Sequence, residues 1–481
     1  MTVIIGLEIH CQLTTRAKLF CGCSTDYRDD PPNTHTCPTC LGLPGSLPVL
    51  NRKAVEYALK VGKALNCSIP EEAEFARKNY FYPDLPKGFQ ITMYDRPLAV
   101  DGYLDIEADD GMEKRVQITR VHMEEDPGRL VHVGSGDRAR YSLVDYNRSG
   151  IPLIEIVTDP DLRSPKEARR FINTLRTTLE YLGVFDGERE GGLRVDANIS
   201  MEGGNRVEVK NISSYKGVEK ALTFEITRQR NVLRRGLTVE RETRHFLEAR
   251  GVTTSARSKE EEHDYRYFPE PDLRPLRVKD WFDQIVLPEL PAARKLKFIE
   301  NYCLSPTHGA TLSGELICAN FFENVLKYRP ENIKFNQLVA TWIADTLLGE
   351  LNYRDMSLNK VPPEYFRELM EVLIKNEITD KAAVEVLRIM LDEIFHNKNL
   401  EDPRAIVARL NLGKAGGSQF GPVIQEVVEA NPAAVKDLRG GKNEALNYLV
   451  GQAMKRTRGR ADPKELTRMI QEAIGTKEAA K

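Results

Sequence analysis

Residues 3–13 read Val-Ile-Ile-Gly-Leu-Glu-Ile-His-Cys-Gln-Leu, an alternation of period two that puts Glu8, His10 and Gln12 on one face and Leu7, Ile9, Cys11 and Leu13 on the other. The pattern predicts a β-strand with an apolar side for a core and a polar side carrying a carboxylate next to an imidazole. Segments of the same kind follow: YLDIEA from 103, KRVQITRVHM from 114, LIEIV from 153, LRVDANISM from 193 and RVEVK from 206. Helical stretches lie between them, so the chain to about Leu287 reads as α+β around a large, mostly antiparallel sheet. Ser164-Pro165-Lys166-Glu167 supplies an N-cap, a first-turn proline and a capping-box glutamate for a helix running to about Leu182, and a second helix is expected from Tyr215 to about Arg234.

Beyond LPELPAARK (287–295) the strand pattern stops, and apolar residues recur at spacings of three and four through 321–326, 339–348 and 365–373. This predicts a helical region to about Leu400. AGGSQFGP at 415–422 reads as a hinge before three short helices, with Asn431-Pro432 and Asp462-Pro463 as caps and Glu465 completing a capping box. The expected domains are therefore 1–290, 291–405 and 406–481.

The sequence has 481 residues, 41% hydrophobic and 29% charged, with a formal net charge of −2. That balance excludes a wholly basic nucleic-acid binder and leaves RNA contact to local charge. The opening residues lack a secretory pattern and no stretch approaches a membrane span, so a cytoplasmic protein with no membrane partner is expected. Of eight cysteines, Cys21, Cys23, Cys37 and Cys40 cluster, while Cys11, Cys67, Cys303 and Cys318 are scattered and read as core residues. Two close thiol pairs separated by thirteen residues suit the four corners of a closed, structural Zn2+ site that does not need His35. Reduced cysteines in a Gly- and Pro-rich loop are the other reading.

Arg194, Asp196, Asn198 and Ser200 share a face, as do Glu208 and Lys210; Glu124-Glu125-Asp126 ends one strand and Glu155 interrupts LIEIV. One polar face per strand is also what any half-solvated sheet shows. Carboxylates and a histidine interspersed with Lys and Arg additionally suit a divalent metal bound to nucleotide phosphates. The sequence has neither GxxxxGK[ST] nor GxGxxG, so a nucleotide site would lie on a sheet face. RKNYFYPD (77–84) and DYRYFPEPD (264–272) interleave basic and aromatic residues, which either stack bases and hold phosphates or anchor loops. Between Asn431 and Ile470 nine Lys or Arg face four Asp or Glu, four of the nine being Lys455, Arg456, Arg458 and Arg460. That run is either a salt-sensitive RNA contact or a solvated helix end.

GLEIHCQL, KLFCGCST, CPTCLGLPGSLPVLN, RKNYFYPDLPKGFQIT, ITRVHMEEDPGR, YNRSGIPLIEIV, LRVDANIS, VEVKNISS, HDYRYFPEPDL and NPAAVKDLRGGKNEALNYLVGQAMKRTRGRADP, in this order from Gly6 to Pro463, closely resemble the B subunits of aspartyl/glutamyl-tRNA amidotransferases. The resemblance implies ATP-dependent phosphorylation of the side-chain carboxylate of Glu-tRNA(Gln) or Asp-tRNA(Asn). Ammonia from a partner amidase, the A subunit, then forms the amide, and a small C subunit would brace the pair as a heterotrimer. It implies a cradle domain similar to the glutamine synthetase fold and a YqeY-like helical tail for tRNA, where the 455–460 run lies. Matched motif to motif, Glu8, His10 and Glu125 look like Mg2+ (or Mn2+) ligands and Lys78 like a phosphate-binding lysine. Glu155, Asp196 and Glu208 take supporting roles in the same catalytic pocket. Many family members lack the four cysteines, so Zn2+ rests on this chain's own spacing. The archaeal E-subunit paralogue carries an inserted domain for which this chain has no room.

Overall fold

The computed structural model describes residues 2–133, 141–187, 189, 191–256, 265–327, 332–414, 420–440, 442–457 and 463–475. The chain divides into two compact units, Met1–Pro291 and Ala292–Lys481. Strands in the first unit are β1 (Val3–Gln12), β2 (Phe75–Asn79), β3 (Phe89–Met93), β4 (Ala99–Glu107), β5 (Glu113–Glu125), β6 (Arg129–Val133), β7 (Tyr141–Asp145), β8 (Pro152–Thr158), β9 (Leu193–Met201), β10 (Val207–Ile212), β11 (Glu242–Leu247), β12 (Val252–Ser255) and β13 (Phe268–Pro269). Eight of them form one sheet in the order β12-β11-β10-β9-β1-β8-β5-β4, antiparallel except between β10 and β11. β13-β2-β3 make a small second sheet, and β6-β7 a lone hairpin.

The period of two is realised as read. Leu7, Ile9 and Cys11 join Val195, Ala197 and Ile199 of β9 and Ile154 and Ile156 of β8 in one buried core. The helices Pro165–Tyr181 and Tyr215–Arg234 cover it with Phe171, Leu175, Leu179, Val218 and Leu222. Burying each such side chain contributes about 1.5–3 kcal/mol, and the opposite face is left for polar groups. Ser164 caps its helix by accepting from the Glu167 amide at 3.1 Å. Glu167 does not close the box on Ser164: its carboxylate accepts from the Arg163 amide at 2.8 Å and pairs with Lys114 at 2.7 Å. Of the scattered cysteines Cys11, Cys67 and Cys318 are buried, but Cys303 is exposed, on a turn with φ of 54°.

The second unit is helical among its described residues, and it includes a π-helical turn over Trp342–Leu347. After the hinge, of which 415–419 lie outside the described residues, four helices follow in place of the three expected: Gly421–Ala430, Pro432–Arg439, Asn443–Arg456 and Pro463–Ile474. The missed break falls after Gly440, where the next helix begins at Asn443 and its N-cap residue, Lys442, makes no side-chain cap to announce it. Asn431 is not a hydrogen-bonding cap. Its Nδ2 donates to the Val427 carbonyl at 2.8 Å and its Oδ1 accepts from the Tyr448 hydroxyl at 3.3 Å. Asp462, the other expected cap, lies outside the described residues. Phe420, Ile424, Val427, Leu449, Leu466 and Ile470 give these four helices an apolar core of their own. No described helix is long and apolar enough to cross a membrane.

Candidate active site

β1 lies between β8 and β9, and its register decides what its polar side chains meet. Glu8 is opposite Asp196, and His10 is opposite Glu155 on one side and Arg194 on the other. β5 adds His122, which pairs with Glu155 across the β5-β8 ladder. His10 Nε2 is 3.5 Å from Glu155 Oε2 and 3.7 Å from Glu124 Oε1, and His122 Nε2 is 3.1 Å from Glu155 Oε2. One β-strand further, Asn198 donates to Glu8 at 2.9 Å, and Lys210 lies 3.3 Å from Asp196 and 3.4 Å from Glu208. Two sets of donors therefore sit on one sheet face, His10-Glu124-Glu155 and Glu8-Asp196-Glu208, each with its ligand atoms within 4.8 Å of one another.

Such crowding marks the electrostatics. Burial and then the charges of Glu155 and Glu208 raise the Glu8 carboxyl above its ordinary range, against the Asn198 hydrogen bond. Burial alone would lower His10, but the hydrogen bond and charge of Glu155, with Glu124, lift it to about 9. Burial opposes ionisation of Glu155 too, yet His122 and His10 hold it well below the usual carboxylate range. Lys210 is raised against burial by Asp196 and Glu208, and Arg194 chiefly by Asp126. The face therefore holds a proton on His10 where a divalent cation would serve the same carboxylates. Oxygen-rich donor sets of this kind fit Mg2+, and the imidazole tilts the first set toward Mn2+.

Asp126 organises the rim. Its carboxylate meets Arg194 at 2.7 Å, accepts from Gln12 Nε2 at 2.6 Å and lies 3.7 Å from Arg148. Lys78, on β2, rests over the Tyr265 ring at 4.7 Å and the Tyr80 ring at 5.8 Å. The Tyr80 phenol is pushed up by burial and then by the charge of Glu124. Tyr265 meets both Tyr80 and Tyr267 edge-on, Tyr267 stacks on Tyr94 at 4.1 Å, and Phe81 and Tyr82 are exposed. Asp264 lies outside the described residues.

Glu125, read from the sequence as a companion of Glu8 and His10, is not brought to them. Strand alternation turns it away, and its carboxylate is occupied by Lys87 and, at 2.9 Å, by the Ile91 amide. Glu124 stands at His10 instead. The signal was present, because Val121 and Met123 are core residues and the same period therefore gives His122 and Glu124 to the polar face. Arg194 and Lys210, noted only as members of polar strand faces, also belong to the site. Lys87 offers no sequence signal.

The sulfurs of Cys21, Cys23, Cys37 and Cys40 converge within 4.8 Å of one another. A hydrogen bond from Cys21 draws Cys40 below the ordinary thiol range, and the same bond, with burial, pushes Cys21 above it. His35 is turned to Asp30 at 2.6 Å and stays out of the set. The donors fit a closed tetrathiolate centre. In the tail, Lys455 and Arg456 are exposed on the last turn of their helix, Arg456 lying 3.5 Å from Glu426, while Arg458 and Arg460 are outside the described residues.

Residues 3–283 match the family described as the GatB/GatE catalytic domain, and residues 320–474 match the GatB domain. Among curated proteins, the B subunit of the aspartyl/glutamyl-tRNA(Asn/Gln) amidotransferase of Methanoregula boonei is 64% identical over 98% of both chains. Its namesake from Methanospirillum hungatei is 63% identical over 99% of both, and that from Methanococcoides burtonii 50% identical over 98% of both. A catalytic domain carrying the two carboxylate sets, a matching second domain, and relatives that align along almost their whole length agree: the chain belongs to the GatB family of amidotransferase B subunits.

Proposed function

We propose that this chain is the B subunit of a glutamine-dependent tRNA amidotransferase, and that the polar face of its large sheet activates the side-chain carboxylate of Glu-tRNA(Gln), Asp-tRNA(Asn) or both. The observation that carries the reading is the pair of carboxylate sets side by side, flanked by Lys210 and Arg194. A carboxylate oxygen of the aminoacyl group attacks the γ-phosphorus of ATP, ADP leaves, and an acyl phosphate results; ammonia from the partner amidase then attacks the acyl carbon and phosphate departs. His10, Glu124 and Glu155, with Glu8, Asp196 and Glu208, would hold Mg2+ or Mn2+, which supplies positive charge to phosphate oxygens. The chain's own cations do the rest. Lys210 and Arg194 offer fixed positive charge beside the carboxylates, and Lys78, resting over the Tyr265 ring, would meet phosphate. A purely RNA-binding zinc protein has no use for two crowded carboxylate sets.

Around this site the A and C subunits complete a heterotrimer, the cysteine centre holds a structural Zn2+, and the tail helices, as a separate domain, contact tRNA. We place the protein in the cytoplasm, where thiols remain reduced. The deciding experiment reconstitutes the complex and supplies Glu-tRNA(Gln) and Asp-tRNA(Asn) separately with ATP and glutamine. Amide formation on at least one is expected; ATP consumption without either product would overturn the reading. Neutralising Lys455, Arg456 and Arg458 together is expected to weaken tRNA binding and to lower the slope of log K against log salt by about 2–3, and an unchanged slope would count against a phosphate contact in the tail.

A further inference from the structure

Lys18 is fully buried, with 0% of its surface exposed. Its Nζ has three acceptors: the His35 carbonyl at 2.8 Å, the Tyr146 carbonyl at 3.3 Å and Cys40 Sγ at 3.6 Å. Three acceptors match the three N–H bonds of an ammonium, one more than a neutral amine possesses. Yet among the described residues no carboxylate lies within ion-pair distance of it. The acids nearby are engaged elsewhere, Glu125 by Lys87, Asp126 by Arg194 and Arg148, and Asp30 by His35. A buried cation without a counter-anion is strongly disfavoured. The remaining source of negative charge in contact with Lys18 is sulfur.

Four thiolates around one divalent ion leave a net charge of about −2. We infer that Lys18 is the built-in counter-cation of the four-cysteine centre, holding a Cys40 thiolate and favouring retention of a divalent metal. The inference rests on the reading of that centre as a Zn2+ site. Lys18 is also placed to join both halves of it. Its amide donates to the Cys23 carbonyl at 3.0 Å, fixing the first cysteine loop, while its side chain reaches His35 and Cys40 of the second. The sequence hid this because a lysine beside cysteines reads as a solvated surface residue; burial and the three-acceptor geometry identify it.

The test uses the full chain in its complex, with Lys18→Met, which keeps length and removes charge. Chelator competition is expected to show Zn2+ held 10- to 100-fold more weakly than in the wild type. Thermal melting of loaded and metal-stripped forms separates charge from packing. The substitution should lower Tm in the loaded protein and change it far less once Zn2+ is removed, whereas a residue that merely bridged two carbonyls would lower both alike, a result that overturns the inference. Should the variant fail to fold, Co2+ substituted into the wild type decides: its thiolate-to-metal charge-transfer absorption is expected to show all four cysteines bound as thiolates, and fewer would remove the negative charge Lys18 is argued to balance. A wild-type chain that binds no Zn2+ would instead refute the zinc reading itself, while normal binding with an unaffected Lys18→Met variant refutes only the role given to Lys18.

Discussion

Glutamine in place of Glu155 is expected to slow ATP-dependent amide formation by on the order of 10^3-fold, with glutamine hydrolysis by the partner amidase left nearly intact. Glu155 lies between two imidazoles, 3.5 Å from His10 and 3.1 Å from His122, and its hydrogen bond, followed by its charge, is the principal influence raising His10. The substitution keeps volume and removes that charge, so the first donor set loses its central anion while the core beneath, from Ile154 to Ile156, stays packed. His122 magnifies the effect. Its Nδ1 is buried without a hydrogen-bond partner, so Nε2 and Glu155 make its described polar contact. Initial rates on charged tRNA and on glutamine, measured in the same reconstituted complex, check this. Wild-type amide formation by the variant would remove the carboxylate sets from the mechanism.

Alanine at Glu125 is expected to act differently, by lowering unfolding stability by about 3–5 kcal/mol. The Glu125 side chain is 4% exposed and its partner Lys87 9%. Truncation strands the ammonium in a buried place and deprives the Ile91 amide of its acceptor. Glu124→Ala, one residue earlier, removes a carboxylate from His10 and a hydrogen-bond acceptor from Thr92 and should impair chemistry with a smaller effect on stability. Urea denaturation of the two variants beside their amidation rates distinguishes them. A Glu125→Ala protein of wild-type stability but without activity would return Glu125 to the metal site, as the family motif suggested.

The adjacent pair shows what the sequence can and cannot convey. Faces were legible because a strand's period is two, so Glu8, His10, Asp196 and Glu208 could be assigned to polar sides without coordinates. Partners were not legible, because which strands adjoin depends on pairing across long separations: Glu8 and Asn198 are 190 residues apart in sequence and 2.9 Å apart in space. Strand ends were the weakest point. At Glu124-Glu125-Asp126 three acids in a row satisfy three different demands, a donor set, a buried ion pair and the rim around Arg194. Local spacing sufficed for the cysteines, since each pair belongs to one short loop, but Lys18 owes its significance to burial and could be recognised only once both loops were in place.

The position of β1 between β8 and β9 also sets an order of events during synthesis. A strand that emerges about 190 residues ahead of its β9 partner, at roughly 5–20 residues per second, waits roughly 10–40 s for completion. Until β8 emerges both of its hydrogen-bonding edges lack their final neighbours, and the β9 edge stays open to the end of the interval, a template for pairing with other chains. The nascent protein is thus most in need of chaperone cover early, and its two carboxylate sets are complete only after β10, which carries Glu208, has been made.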